Sequence, residues 1–269
     1  MQPLLSVGNL VKRYAAPRSS GPHDKLAALD GVSLSIAPKT TVALVGESGS
    51  GKSTLALCIA CLERPTSGTI TFAGIDLAAL DENRQRQFRP QIQLVFQDPS
   101  SSLNPRWTAL EIITEPLLVQ RRFTKQERID KACALLDRVG IPRKMANRRA
   151  DELSGGQKQR LAIARSLALE PKLIILDEAL SALDCSVQAQ ISNLLLELQS
   201  SLGLTYLLIT HDFAMAGHLA DQIVVMDRGR IVESGSAERI LSSPNHGATC
   251  SLLAATPRIA EAHVELVIS

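Results

Sequence analysis

Residues 41–53, TVALVGESGSGKS, decide how the rest of the chain is read. TVALV (41–45) is a short, continuous apolar run, the pattern of a strand buried on both faces. GESGSGKS (46–53) follows at once and fits GxxxxGK[ST], and a helix-forming run comes next. Its glycines let backbone N–H groups turn inward around phosphates, and the N-terminus of the following helix adds favourable partial charge. The stretch Gly46, Glu47, Ser48, Gly49, Ser50, Gly51, Lys52, Ser53 and Thr54 is therefore a candidate phosphate loop. In it, Lys52 is placed to reach β- and γ-phosphates and the Ser53 hydroxyl to ligate Mg²⁺. The plainer alternative is a Gly-rich turn with an incidental lysine; the strand before and the helix after argue against it.

Working outward, four more apolar runs resemble the first: IQLVF (92–96), LIIL (173–176), TYLLIT (205–210) and IVVM (223–226). Helical stretches follow several of them, so the expected class is α/β with a mainly parallel sheet covered on both faces. Ligands of such sheets bind at the C-terminal strand ends. Towards the N-terminus, residues 4–11, residues 26–36 and TITFAG (69–74) read as an antiparallel piece, with an Asp30-Gly31 turn breaking the second run. Residues 15–25 read as an exposed loop. From about residue 98 to residue 160 no strand signal occurs. A helix is well marked there by the capping box of Thr124 and Glu127, by Ile129, Ala132, Leu136 and Val139 at helical spacing, and by Gly140 and Pro142 at its end. This region is read as a helical lobe inserted into the α/β core.

Polar residues gather at the predicted strand ends. LIILDE (173–178) sets a carboxylate at the end of a buried strand, where it needs a cation or donors. Asp177 is thus a candidate for holding Mg²⁺, and Glu178, one residue on, for polarising a water. The alternative is two carboxylates that merely cap a strand. His211 ends TYLLIT and can donate to a γ-phosphate or orient a water. Gln97 ends IQLVF and can bond both Mg²⁺ and water at the junction with the helical lobe. LSGGQ (153–157) places Ser154, Gly155, Gly156 and Gln157 at a helix N-terminus without any lysine of its own. It reads either as a plain N-cap or as a half-site that completes a phosphate site on another molecule.

Composition narrows the classes. Lys+Arg 29 against Asp+Glu 27 leaves +2, which argues against nucleic-acid binding by bulk charge, and 3% aromatic residues argue against a base-stacking platform. No apolar run approaches the roughly 18–20 residues that cross a bilayer, and no signal peptide is evident. The five cysteines give no disulfide framework; Cys58 and Cys61 form a CxxC inside an apolar run and are read as packing residues.

These motifs together resemble the ATP-binding subunit of an ABC transporter. Walker A (46–53), LSGGQ (153–157) and Walker B (173–178) occur in that family's order; Gln97 matches its Q-loop glutamine, SALD (181–184) its D-loop with Asp184, and His211 its switch histidine. Tyr14 falls where the family places an aromatic residue that stacks on adenine. The resemblance covers residues 4–240 and implies a P-loop NTPase fold, ATP and Mg²⁺ as ligands, and ATP hydrolysis coupled to transport. It also implies a second ATPase subunit facing this one head to tail, as a hetero- or homodimer, two membrane permease subunits and an extracytoplasmic substrate-binding protein. The place of action would be the cytoplasmic face of the membrane.

VFQDPSSSLNPRWT (95–108), Glu115-Pro116, VMDRGRIVESG (225–235) and the tail SSPNHGATCSLLAATP (242–257) resemble the dipeptide, oligopeptide and nickel importers, and residues 61–68 the second ATPase such importers often use. Residues 241–269 would then be that group's C-terminal extension. Two positions depart from the pattern: the usual HPYT reads His246-Gly247-Ala248-Thr249, and the usual SALDVS carries Cys185. Cys250 alone cannot hold the iron–sulfur cluster of certain relatives. A non-transport ABC ATPase, in DNA repair or translation, is the alternative. A single Walker A and a short, heptad-free stretch between Gly46 and Gln157 speak against it. The basic cluster Arg143, Lys144, Arg148 and Arg149 reads as a solvated face, with contact to anionic lipid as the alternative.

Overall fold

The computed structural model describes residues 2–15, 25–121 and 123–255. The loop expected at 15–25 lies almost wholly outside them, as do residues 256–269 of the segment expected to form a C-terminal extension.

Two sheets form. The smaller is antiparallel, in the order β2 (Lys25–Ile36), β1 (Leu5–Ala15), β4 (Ser67–Phe72) and β5 (Ile75–Asp76). The larger has the order β10 (Arg230–Ser236), β9 (Gln222–Asp227), β3 (Thr41–Val45), β8 (Thr205–Thr210), β7 (Leu173–Asp177) and β6 (Ile92–Val95). All its neighbours pair in parallel except β9 and β10, which form a hairpin. β3, the strand before the glycine-rich loop, lies in the middle between β8 and β9.

Helices fill the connections: α1 (Lys52–Ile59), α2 (Glu82–Arg86), α3 (Pro99–Ser102), α4 (Ala109–Gln120), α5 (Lys125–Arg138), α6 (Gly155–Leu167), α7 (Cys185–Leu202), α8 (Phe213–Leu219), α9 (Ala237–Ser242) and α10 (Gly247–Ala255). Side chains alternate across each parallel strand. Val42, Leu44, Ile175 and Leu207 join the core shared with α1 and the antiparallel sheet, while Ala43, Val45, Ile174 and Leu208 join the core shared with α4–α8. Both faces are therefore buried, which is why these strands read as unbroken apolar runs. Cys58 and Cys61 belong to the first of these cores; burial pushes the Cys58 thiol up to about 12, so it packs as an apolar group.

The helical lobe forms where expected. α5 starts at the Thr124–Glu127 capping box and ends before Gly140, whose φ is +72°. α4 carries a second capping box, Thr108 with Glu111.

One expectation needs correction. Asp30-Gly31 does not break the second run: β2 is continuous, and the register jumps from Leu10↔Val32 to Val11↔Asp30. Gly31, at φ +75°, serves a β-bulge, the other use of an Asp-Gly pair in an extended strand. β5 and β10 were not foreseen. Each returns through a two-residue hairpin turn with both central residues at positive φ, Ala73-Gly74 and Arg228-Gly229.

The described part of the tail is fastened to β10. Glu233, buried on this edge strand, accepts hydrogen bonds from Arg239 (3.2 Å) and from the amides of Asn245 (3.0 Å) and His246 (3.1 Å).

Candidate functional site

The loop from Gly46 to Gly51 leaves the end of β3 and runs into α1, whose N-cap Gly51 has φ +107°. Two of its glycines are required by close backbone neighbours. A Cβ on Gly46 would lie 2.2 Å from the Met226 carbonyl oxygen, and one on Gly51 2.4 Å from that of Ala28. The loop is held from outside as well: the Gly229 amide donates to the Ser50 carbonyl (2.9 Å), and the Asp30 amide to the Gly229 carbonyl (2.8 Å). The buried Lys52 side chain turns back into the loop and donates to the carbonyls of Gly46 (2.8 Å) and Glu47 (2.7 Å). Burial lowers its pKa, and the carboxylates of Glu178, Asp177 and Glu47 work in the opposite direction.

The other predicted residues stand on the same rim. Asp177 ends β7 and accepts from the Ser53 hydroxyl at 3.2 Å. Burial raises its pKa, reinforced by Glu178, with the Ser53 bond and Lys52 opposing. A half-buried carboxylate disfavoured in its charged form, beside a hydroxyl, suits a divalent cation. Among the described residues no cluster of three or more His, Cys, Asp or Glu side chains stands ready to hold a metal. The Asp177 carboxylate and Ser53 hydroxyl fit a Mg²⁺ ion held through one carboxylate and a hydroxyl together with phosphate oxygens.

Glu178 has a left-handed backbone, φ +48°, uncommon for this residue type. Its amide donates to the Ile209 carbonyl (2.9 Å), and its own carbonyl accepts from Ser181 Oγ (2.8 Å). Its carboxylate lies 3.8 Å from Nδ1 of His211, which follows β8. The next residue, Asp212, caps α8 by accepting from the amides of Ala214 and Met215. Gln97, two residues beyond β6, donates through Nε2 to Ser181 Oγ at 3.2 Å. Ser181 therefore ties Gln97 to the Glu178 backbone. Sequence reasoning did not single out Ser181 or Asp212. Their signals were present: Ser181 opens the SALD stretch, and Asp212 sits at an N-cap position after a strand.

Ser154, Gly155, Gly156 and Gln157 form a capping box at the start of α6. Ser154 Oγ accepts from the Gln157 amide (3.3 Å), and Gln157 Oε1 from the Ser154 amide (3.0 Å). Asp184, the N-cap of α7, accepts from the Val187 amide (2.9 Å) and Ser186 Oγ (2.8 Å), which lower its pKa. The two helix starts adjoin, because Gly155 faces Leu183 and Gly156 faces Val187. No hydrogen bond or ion pair joins Ser154–Gln157 to Lys52, Asp177, Glu178 or His211. Tyr14 lies on β1, 37% exposed. Three of the four basic-cluster residues are paired with neighbouring carboxylates: Arg143 with Asp137, Arg148 with Glu152 and Arg149 with Asp151. That is the arrangement of a solvated face. No helix among the described residues is long and apolar enough to cross a membrane.

Known proteins agree with this geometry. A family model described as "ABC transporter" matches residues 29–181. The dipeptide transport ATP-binding protein DppF of Escherichia coli is 44% identical over 259 residues, 96% of this chain and 78% of that protein. A putative peptide import ATP-binding protein of Brucella melitensis is 46% identical over 95% of this chain and 79% of its own length. Among solved structures, the post-hydrolysis dimer of the ATP-binding cassette MJ0796 with ADP and Pi superposes with a TM-score of 0.77 at 33% identity, covering 87% of this chain and 98% of that one. CbiO1 of Clostridium perfringens, part of the cbiONQ transporter complex, gives 0.80 at 29% identity, covering 90% and 92%. With its glycine-rich loop, acidic strand end and LSGGQ helix in the α/β core and lobe expected of such cassettes, the chain belongs to the ABC transporter family and is one of its ATP-binding, ATP-hydrolysing subunits.

Proposed function

We propose that this chain powers a peptide importer, as one of two ATPase chains working on two membrane permease subunits served by an extracytoplasmic substrate-binding protein. Its 44–46% identity over nearly its whole length to proteins named for dipeptide and peptide import supports that substrate class. Residues 4–240 form the ATP-binding domain with its helical lobe at about 98–160, and residues 241–269 the extension. The chain works at the cytoplasmic face of the membrane, without nucleic-acid partners.

The site residues act as follows. Amides of residues 46–54 wrap the β- and γ-phosphates, and Lys52 exchanges the Gly46 and Glu47 carbonyls for phosphate oxygens. Tyr14 stacks on the adenine. Ser53 and Asp177, with Gln97 at the rim, hold Mg²⁺, which when bound neutralises charge on the phosphates. Glu178 accepts a proton from, or orients, the attacking water, and His211 positions it against the γ-phosphate. Ser154, Gly155, Gly156, Gln157 and Asp184 complete the site on the facing ATPase chain.

The observation that supports this reading is that, among the described residues, no hydrogen bond or ion pair joins Ser154–Gln157 to Lys52, Asp177 or Glu178. A site split in this way needs two chains. The purified chain should hydrolyse ATP weakly, and its turnover should rise on assembly with its partner ATPase and permeases. A monomer by light scattering that turns over at the complex's rate would contradict the split site. Uptake of nickel in place of peptide by the assembled system would redirect the substrate.

A further inference from the structure

We infer that Lys12 is a positioning residue for the nucleotide base, acting through the ring of Tyr14. The inference rests on the adenine-stacking role given to Tyr14 above.

Lys12 and Tyr14 are two residues apart on β1, so their side chains share one face of the antiparallel sheet. The Lys12 ammonium lies 4.8 Å from the centroid of the Tyr14 ring, within cation–π range. Its side chain is only 12% exposed. Three neighbours therefore fix where this charge sits: the carboxylate of Glu63, the carbonyl of Arg64 (2.8 Å) and the ring itself. The Glu63 bond, helped by its charge, raises the Lys12 pKa against the effect of burial, so the group stays an ammonium at neutral pH.

The backbone around the pair is fixed too. The Arg13 amide donates to Thr66 Oγ1 (3.0 Å), and the Thr66 amide to the Val11 carbonyl (2.7 Å). The segment that carries Glu63 and Arg64 follows α1, the helix that begins at Lys52. Lys12 is thus moored to the far end of the helix that starts in the phosphate loop. With the ammonium over one face of the ring and Tyr14 still 37% exposed, two things follow. The ring loses freedom that base stacking would otherwise have to remove. The cation also draws ring electron density toward itself, which favours an electron-rich purine on the exposed side.

The test uses the full chain and calorimetric titration with ATP and with inorganic triphosphate, which lacks a base. Lys12→Met keeps most of the apolar stem and removes the charge; Lys12→Arg keeps the charge. Lys12→Met is expected to weaken ATP binding about three- to tenfold, leave triphosphate binding unchanged, and be rescued by Lys12→Arg. In a Tyr14→Leu background, Lys12→Met should have no further effect. Equal weakening for ATP and triphosphate, or an undiminished effect without the Tyr14 ring, would overturn the assignment. If Tyr14→Leu leaves the preference for ATP over triphosphate intact, the stacking role of Tyr14 itself fails. If Tyr14→Leu abolishes that preference while Lys12→Met preserves it, only the role of Lys12 fails.

Discussion

The carboxylate of Glu178 lies 3.8 Å from Nδ1 of His211, and it is set there by a backbone at φ +48° whose amide and carbonyl are both engaged, with Ile209 and Ser181. A non-glycine residue in this conformation is held by its surroundings, and such residues gather at functional sites. Glu178→Gln preserves size and hydrogen bonding but removes the negative charge. ATP binding should persist, since the proposed binding groups, Lys52, Ser53 and the loop amides, are left unchanged, while hydrolysis slows by about two to four orders of magnitude. Asp177→Asn should instead weaken the Mg²⁺ dependence of binding. ATP retained per complex after gel filtration, read beside steady-state phosphate release, separates the two. Normal phosphate release by Glu178→Gln would reverse these roles.

Gly156→Ala places a Cβ 2.7 Å from Val187 Cγ1, at the contact between the starts of α6 and α7. The resulting overpacking should destabilise the chain by about 1–3 kcal/mol. It should also lower ATP turnover in the assembled complex, because Ser154 and Asp184 move with these helix ends. Adding Val187→Ala makes room for the methyl group. Recovery of both Tm and turnover in the double variant is the expected outcome, and a strictly additive loss would show the contact to be incidental.

Gly46→Ala meets a different obstacle, because its Cβ would lie 2.2 Å from a backbone oxygen, that of Met226, which no rotamer change can clear. The loop itself must shift. Binding of ATP and of inorganic triphosphate should be lost together, in contrast to substitutions at the base. Titration with both ligands checks this, and selective loss of ATP alone would contradict it.

Glu233 predicts a pH dependence. Burial works against its ionised form, but the Thr249 hydroxyl beside it, the Asn245 and His246 amides and Arg239 outweigh burial and hold the carboxyl at about 2, below its ordinary 4.5. The folded pKa is depressed, so the contribution of this clasp is complete above about pH 4.5 and fades as pH falls toward 2. Hydrogen-exchange protection at the Asn245 and His246 amides should follow that course. At neutral pH, Glu233→Ala should destabilise the fold by about 1–3 kcal/mol and remove the same protection. Unchanged protection in that variant would mean that the tail is held elsewhere.

The sheet's centre was legible because β3, β7, β8 and β9 are buried on both faces and carry no inward charge to interrupt them. The edge strand β10 hid for the opposite reason: an ionised residue, Glu233, occupies an inward position, so RIVESGS shows no apolar alternation. The two-residue β5 is too short to leave any period. Asp30-Gly31 misled because bulge and turn demand the same positive φ from glycine, and only pairing with β1 separates them. At the site, motif spacing located each strand-end residue. It could not show that Ser181 joins Gln97 to Glu178, or that the Lys12 ammonium lies over Tyr14, since both depend on side-chain placement.

The β9–β10 turn, Asp227 to Arg230, has the sequence of an ordinary surface hairpin, the kind of place where affinity tags, fluorophore insertions and new chain termini are usually put. Here its Gly229 amide holds the Ser50 carbonyl, its Gly229 carbonyl receives the Asp30 amide, and its Arg230 clasps the Asp30 carboxylate. The turn is thus an outer wall of the phosphate loop, some 180 residues distant in sequence but one hydrogen bond away in space. An epitope spliced between Arg228 and Gly229 would reach the nucleotide site as surely as a change in the loop, whereas the exposed Leu118–Val119 end of α4 shares no such bond with it.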